Sequence, residues 1–201
     1  MEITDLATSF SVSLPSWVPV EIHDVPEQLP TSQERMALVH RLADRNHREG
    51  NGGPFAALVA ERDTGRVLAV GVNVVLATGL SSVHAEVVAL SLAQQVVGTW
   101  DLGAAGRPAT ELVVNWRPCT MCLGATLWSG AGHLVIAGEG PECEQLTGFD
   151  EGPVRDDWRE QFAARGITVE SDVLRDGAIR TFSKYGSGDP LVYNARQGIV
   201  G

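Results

Sequence analysis

The feature that most constrains the fold is a pair of short segments that carry metal-binding side chains. His84-Ala85-Glu86 is followed, much later in the chain, by Cys119 and Cys122, which stand three positions apart directly after a proline. Imidazole nitrogen and thiolate sulfur are good zinc ligands, and three such ligands leave a fourth coordination position open, as in catalytic zinc sites. The fold therefore has to bring two distant segments together around one metal ion.

Glu86 lies two residues after His84 and is not needed as a metal ligand. On the first turn of a helix it can reach both a water molecule and a substrate nitrogen, and it would then transfer protons as a general acid and base. A structural zinc site is the competing interpretation. It needs a fourth ligand, for which Cys143 is the spare cysteine, and it would leave Glu86 without a role. A redox role for the two cysteines is disfavoured, since no thioredoxin-like order of elements surrounds them.

Composition limits the classes of protein that the chain can belong to. Of its 201 residues, 44% are hydrophobic and 20% are charged, which is typical of a globular protein. No apolar run is long enough to cross a membrane, no basic leader is present, and three cysteines are poor material for disulfides, so we expect a cytoplasmic location. The net charge of −10 and the lack of a basic stripe argue against nucleic acid and for a small-molecule substrate.

The hydrophobic pattern predicts an N-terminal arm over residues 1–31 and a single domain over residues 32–201. Thr31 and Glu34 have the spacing of a capping box at the start of the first helix. The predicted helices cover 32–48, 84–97, 119–128, 156–165 and a segment from about 176, and the predicted strands cover 55–60, 66–75, 112–114, 134–137 and 167–173. An early hairpin followed by alternating helices and strands predicts the α/β class, with a mixed sheet of about five strands and helices on both faces.

The His-x-Glu and Pro-Cys-x-x-Cys segments together form the signature of zinc deaminases. The chain therefore resembles the cytidine-deaminase superfamily, and within it the guanine deaminase branch, over roughly residues 32–155. Five further short stretches carry the resemblance to that branch: Gly52-Gly53-Pro54-Phe55-Ala56-Ala57, Gly71-Val72-Asn73, Gly98-Thr99-Trp100-Asp101-Leu102, Cys122-Leu123-Gly124-Ala125 and Gly148-Phe149-Asp150-Glu151. The resemblance implies a three-layer α/β/α fold, a Zn²⁺ cofactor held by His84, Cys119 and Cys122, and a homodimer.

The resemblance also implies which residues bind the substrate. Asn73 would hydrogen-bond the heterocycle, and the backbone around Ala85 would contact it as well. Phe55 and Trp128 would form apolar walls of the pocket. Both aromatic residues have an alternative interpretation as ordinary core residues. For Trp128 the reason is that helical apolar side chains usually pack in the core.

The resemblance also implies a second acid and a residue that closes the pocket. Glu151 would be a second proton-shuttling acid, with Asp150 as the alternative. In this family a C-terminal segment, often from the partner subunit, closes the pocket, and either Tyr185 or Tyr193 has the position to do so. One departure lies beside the site, because Arg117 stands where the family usually has glutamate before the Pro-Cys pair.

The predicted function is hydrolysis of an exocyclic amine on a free guanine-like nucleobase or a related aminoheterocycle. A nucleoside deaminase acting on guanosine or cytidine is the alternative, since Arg117 leaves the substrate open. A zinc-stabilised binding protein without turnover is the alternative outside enzymes, and it would not require Glu86. A tRNA-editing deaminase is disfavoured by the acidic net charge.

Overall fold

The computed structural model describes residues 6–195, which build a five-stranded mixed sheet between two layers of helices. The strands are β1 (Ala56–Glu61), β2 (Val67–Val72), β3 (Thr110–Val114), β4 (His133–Ile136) and β5 (Thr168–Glu170). The helices are α1 (Trp17–Glu21), α2 (Ser32–Arg48), α3 (Val75–Thr78), α4 (Ala85–Val97), α5 (Thr120–Ser129), α6 (Glu142–Thr147), α7 (Trp158–Ala163) and α8 (Arg175–Ser187). Within this described part, no helix combines the length and apolarity that a bilayer crossing requires.

The sheet has the strand order β2-β1-β3-β4-β5. Strand β1 runs antiparallel to both of its neighbours, whereas β3, β4 and β5 are parallel to one another. Ala56 pairs with Val72, and Ala57 pairs with Val114. The start of β1 therefore lies beside the ends of β2 and β3, and the loops that follow those two strands meet at one edge of the sheet.

Both faces of the sheet are buried, which explains the nearly continuous apolar character of the interior strand β1. Along β1, Leu58 and Ala60 face a core that includes side chains of α2 and α8, while Ala57 and Val59 face a second core that includes α4, α5 and α7. Side chains alternate between the two faces because the strand repeats every two residues. The predicted three-layer α/β/α class with a mixed sheet is confirmed.

Helix α4 lies unusually close to the sheet where it crosses β2. A Cβ atom placed on Gly71 would stand 2.2 Å from the carbonyl oxygen of Ala85 and 2.6 Å from the amide nitrogen of Ala89, so only glycine fits there. This contact fixes the first turn of α4, which carries Glu86, against the sheet.

The predicted elements differ from the structure mainly at short segments and element ends. The capping box is confirmed, since the Glu34 N–H donates to Thr31 Oγ1 and the Thr31 N–H donates to Glu34 Oε2. The second strand ends at Val72 rather than at 75, and residues 75–78 form α3. Helices α1 and α6, which are five and six residues long, were not predicted, because a helix of one or two turns has too little periodicity to detect.

Candidate metal centre and active site

The loops at the sheet edge enclose a cleft of about 490 Å³. Asn73 follows the end of β2, and Phe55 precedes the start of β1. The segment after β3 leads through Arg117 to Cys119, and it is held by Asn115, whose side chain accepts from the Ala56 N–H and donates to the Pro54 carbonyl. The strand pairing thus brings residues from three separate segments to one cavity.

His84, Cys119 and Cys122 come together at the floor of this cleft. His84 stands at the N-terminal end of α4 and Cys119 at the N-terminal end of α5. Their donor atoms and the Cys122 sulfur all lie within 4.8 Å of one another, and no other such group of histidine, cysteine or acidic side chains occurs among residues 6–195. Cys143, the spare cysteine, is buried on α6 outside this group.

The spacing of these side chains fits a zinc ion. Zn–N bonds of about 2.0–2.1 Å and Zn–S bonds of about 2.3 Å place tetrahedral nitrogen and sulfur ligands about 3.6 Å apart. The distance between His84 Nδ1 and Cys119 Sγ is 3.6 Å. The Cys122 side chain, and less strongly His84, also lower the pKa of the Cys119 thiol, although burial opposes them. The thiolate, the form that binds metal, is thereby favoured.

Glu86 lies in the same cleft but outside the metal group. Its side chain is 6% exposed on the first turn of α4. Burial raises the pKa of this carboxyl, and the negative charge of Cys119 raises it further. A buried carboxyl with a raised pKa is suited to exchanging protons near neutral pH.

Glu151 lines the cleft from the loop that follows α6. Its backbone carbonyl accepts a hydrogen bond from the Thr120 N–H (3.1 Å), and its N–H donates to Glu144 Oε1 (3.3 Å). The first bond ties the loop to the first turn of α5, and the second ties it to α6. Burial raises the Glu151 pKa to about 8, with contributions from the negative charges of Cys119 and Glu86. The adjacent Asp150 also lines the cleft, but its side chain is exposed.

Asn73 is 1% exposed, and its side chain has a defined orientation at the cleft. Its Oδ1 accepts from the Val75 N–H (3.2 Å) and from the Tyr193 hydroxyl (2.8 Å). Of the two tail tyrosines left open by the sequence, Tyr193 therefore reaches the cleft. The Tyr185 hydroxyl donates instead to the Leu191 carbonyl, at 3.0 Å.

The apolar wall of the cleft differs from the prediction in one residue. Phe55 lines the cleft and packs against Phe149, whose ring centre is 5.6 Å away. Ala85 is fully buried between two lining residues. Trp128 is 85% exposed and does not line the cleft, which corrects the predicted wall position. It shares the outer face of α5 with Met121, seven residues earlier, because two helical turns separate them.

Arg117 also lines the cleft, at the position where the resemblance led us to expect glutamate. Its backbone N–H donates to the Gly138 carbonyl, so the main chain is fixed by a hydrogen bond between the segments that follow β3 and β4. Its Nη1 atom is buried, and no acceptor for it occurs in the part of the chain that the structure describes. The cleft therefore carries one cationic side chain beside its two buried carboxyls.

Residues 30–138 match the cytidine and deoxycytidylate deaminase zinc-binding region. The match covers more than half of the chain, and the chain belongs to this family. The family assignment and the grouping of His84, Cys119 and Cys122 together identify Zn²⁺ as the cofactor.

The chain is also similar to individual proteins of known name. It is 33% identical to the guanine deaminase of Bacillus subtilis over 110 residues, which are 55% of this chain and 65% of that one, so the match spans slightly less than two thirds of the relative. It resembles the solved guanine deaminase of Nitrosomonas europaea with 41% identity and a TM-score of 0.84, over 90% of this chain and 98% of that chain. A structure of the protein NE0047 in complex with 2,6-diaminopurine is 43% identical, with a TM-score of 0.83, over 92% of this chain and 97% of that one.

We expect about one zinc ion per chain in the purified protein, because the described part of the chain holds one group of three ligands. Cys119→Ser should lower the zinc content to about zero, since a serine hydroxyl stays protonated and binds zinc poorly. Cys143→Ser is the matched control and should leave the content near one. Metal analysis of the folded proteins by mass spectrometry gives both values. Equal zinc contents in the two variants would contradict the assigned ligands.

Proposed function

We propose that the chain is a zinc-dependent hydrolase that removes an exocyclic amine from a free guanine-like nucleobase. The observation that carries the proposal is the position of Glu86, a buried carboxyl beside a three-ligand metal group that does not need it as a ligand. The similarity to the guanine deaminase of Nitrosomonas europaea, which extends over nearly the whole of that chain, supports the substrate class.

The ligands His84, Cys119 and Cys122 hold the metal in this proposal. Bound zinc supplies Lewis acidity, which activates water as the nucleophile near neutral pH. Glu86 removes a proton from the attacking water and delivers protons to the ring nitrogen and then to the departing amine. The carbon–nitrogen bond breaks, ammonia leaves, and a carbonyl group replaces the amine on the ring.

The other cleft residues bind the base and complete the proton transfers. The Asn73 amide donates a hydrogen bond to an acceptor on the ring, and the backbone around Ala85 contacts it as well. Phe55, joined by Phe149, covers an apolar edge of the ring. Glu151 is the second proton-shuttling acid, and its burial against the cleft is what favours it over the exposed Asp150.

Some predicted properties of the working enzyme rest only on composition and resemblance. The homodimer, the cytoplasmic location and the division into an arm and one domain stay predictions. A preference for a small molecule over nucleic acid is supported by the net charge of −10.

Ammonia release from a panel of amines tests the proposed substrate. We expect kcat/KM to be highest for guanine among guanine, guanosine, cytosine, cytidine, adenine and amino-triazines. A higher value for guanosine or cytidine would move the assignment to a nucleoside deaminase. Absence of ammonia release from every compound, with zinc bound, would favour the zinc-stabilised binding protein and contradict the proposal.

A further inference from the structure

The C-terminal tail lies against two parts of the cleft. Tyr193 packs on Phe149, with ring centres 4.7 Å apart. Asn194 next to it accepts from the Asp150 N–H (3.0 Å) and donates to the Gly148 carbonyl (2.9 Å). The same stretch of tail therefore contacts both the loop that carries Glu151 and the side chain of Asn73.

The Tyr193 hydroxyl has a defined donor and acceptor. The Gly53 N–H donates to its oxygen at 2.8 Å, and a backbone N–H can only donate. Burial raises the pKa of Tyr193, so the hydroxyl keeps its proton. That proton is directed to Asn73 Oδ1, which lies 2.8 Å away.

This arrangement fixes which end of the Asn73 amide faces the cleft. Oδ1 receives two donors, the Val75 N–H and the Tyr193 hydroxyl. In the flipped orientation the NH₂ group would face the Val75 N–H, so two donors would oppose each other. The NH₂ group is consequently left to donate toward the cleft, and no side chain or backbone group among residues 6–195 accepts from it.

We propose that Tyr193 is a positioning residue that holds Asn73 with its NH₂ group toward the ligand, so that the cleft selects a heterocycle offering an acceptor at that point. The inference rests on the proposed function for the identity of the ligand. Guanine meets the requirement through its ring nitrogens and its carbonyl oxygen. Tyr193 acts through Asn73 and takes no part in proton transfer.

The test compares Tyr193→Phe with Tyr185→Phe. Each substitution removes one hydroxyl and keeps a ring packed on Phe149. Within residues 6–195, however, the Tyr185 hydroxyl bonds only to the Leu191 carbonyl. For Tyr193→Phe we expect about a tenfold weaker binding of xanthine, the product that guanine hydrolysis leaves, measured by calorimetry on the zinc-loaded protein. KM for guanine should rise by a similar factor with kcat nearly unchanged, because the lost interaction holds the base and moves no proton. Tyr185→Phe should stay within about twofold of the wild-type chain.

Two further variants separate positioning from simple docking of the tail. In an Asn73→Ala background, Tyr193→Phe should have no additional effect, since residues that act through one contact are not additive. Asn73→Asp keeps an oxygen for the Val75 and Tyr193 donors but has no NH₂ group, so the melting temperature should hold while xanthine binding is lost.

The results that would contradict the role of Tyr193 differ from those that would contradict the proposed function. Equal effects of the two tyrosine variants, additive effects with Asn73→Ala, or retained binding by Asn73→Asp would overturn the role of Tyr193. A wild-type chain that neither binds xanthine nor releases ammonia from guanine would instead overturn the proposed function.

Discussion

Glu86→Gln is expected to abolish ammonia release while leaving the zinc in place. The amide has nearly the shape of the carboxyl, but it can neither accept the proton of the attacking water nor deliver it to the leaving amine. General acid and base groups contribute about 10²- to 10⁴-fold to rates, and Glu86 would serve in both capacities, so we expect a fall in kcat near the upper end of that range. Guanine turnover and zinc content, measured on the same preparation, give the two results.

Glu160→Gln is the matched control for this variant. It makes the same chemical change on α7, where the side chain is exposed and outside the cleft. Its activity should equal that of the wild-type chain. If Glu86→Gln retained full activity with zinc bound, the proton-transfer role would be wrong. Loss of zinc together with activity would instead indicate that Glu86 supports the metal site.

The parts of the fold that the sequence predicted are those with a strong local pattern. Helix α2 has its apolar stripe and a capping box at Thr31, and the interior strand β1 is apolar up to its last residue, Glu61, because both of its faces are covered. The predicted end of β2 was wrong because Val74 and Val75 extend the apolar pattern beyond Asn73. In the structure the Asn73 side chain accepts from the Val75 N–H, and the chain turns into α3. A local hydrogen bond to one amide side chain therefore ends the strand where the hydrophobic pattern alone would extend it.

In the candidate site, too, the sequence identified the residues that belong to local motifs and left open those whose position depends on the folded chain. The side chains of the metal group and Glu86 occur in two compact motifs, so their chemistry is readable without coordinates. Trp128 and Tyr193 show what such motifs leave open. Helical position alone decides that Trp128 faces outward, and only the folded tail determines that Tyr193, rather than Tyr185, reaches Asn73.

Arg117 changes the expected charge of the cleft. The resemblance led us to expect a carboxylate before the Pro-Cys pair, and the structure places a guanidinium with a buried Nη1 atom at the same cleft. Its positive charge lowers the pKa of Glu151 and so partly offsets the effect of burial there. Arg117 thus affects the pKa of Glu151, and it also places a positive charge in the cleft proposed to bind the substrate.

Glu151→Gln is expected to reduce kcat by about 10²- to 10⁴-fold, as for loss of one proton-transferring group. The carboxyl is buried in the cleft, and burial raises its pKa, which favours the protonated form that can donate to the substrate. Glutamine keeps the hydrogen bonds of residue 151 to Thr120 and Glu144, because residue 151 contributes only its backbone carbonyl and N–H to them. The loss should therefore appear in kcat with little change in KM or zinc content.

Asp150→Asn provides the comparison that decides between the two neighbouring acids. The Asp150 side chain accepts from the Gly152 N–H through Oδ1, at 2.8 Å, and asparagine retains that oxygen. The loop should keep its conformation in both variants, so a difference in kcat reports the lost carboxylate alone. Although Asp150 lines the cleft, its side chain is exposed and its Oδ1 contact is kept, so we expect Asp150→Asn to remain within about threefold of the wild-type rate. The reverse result, with a large loss in Asp150→Asn and none in Glu151→Gln, would assign the second proton transfer to Asp150.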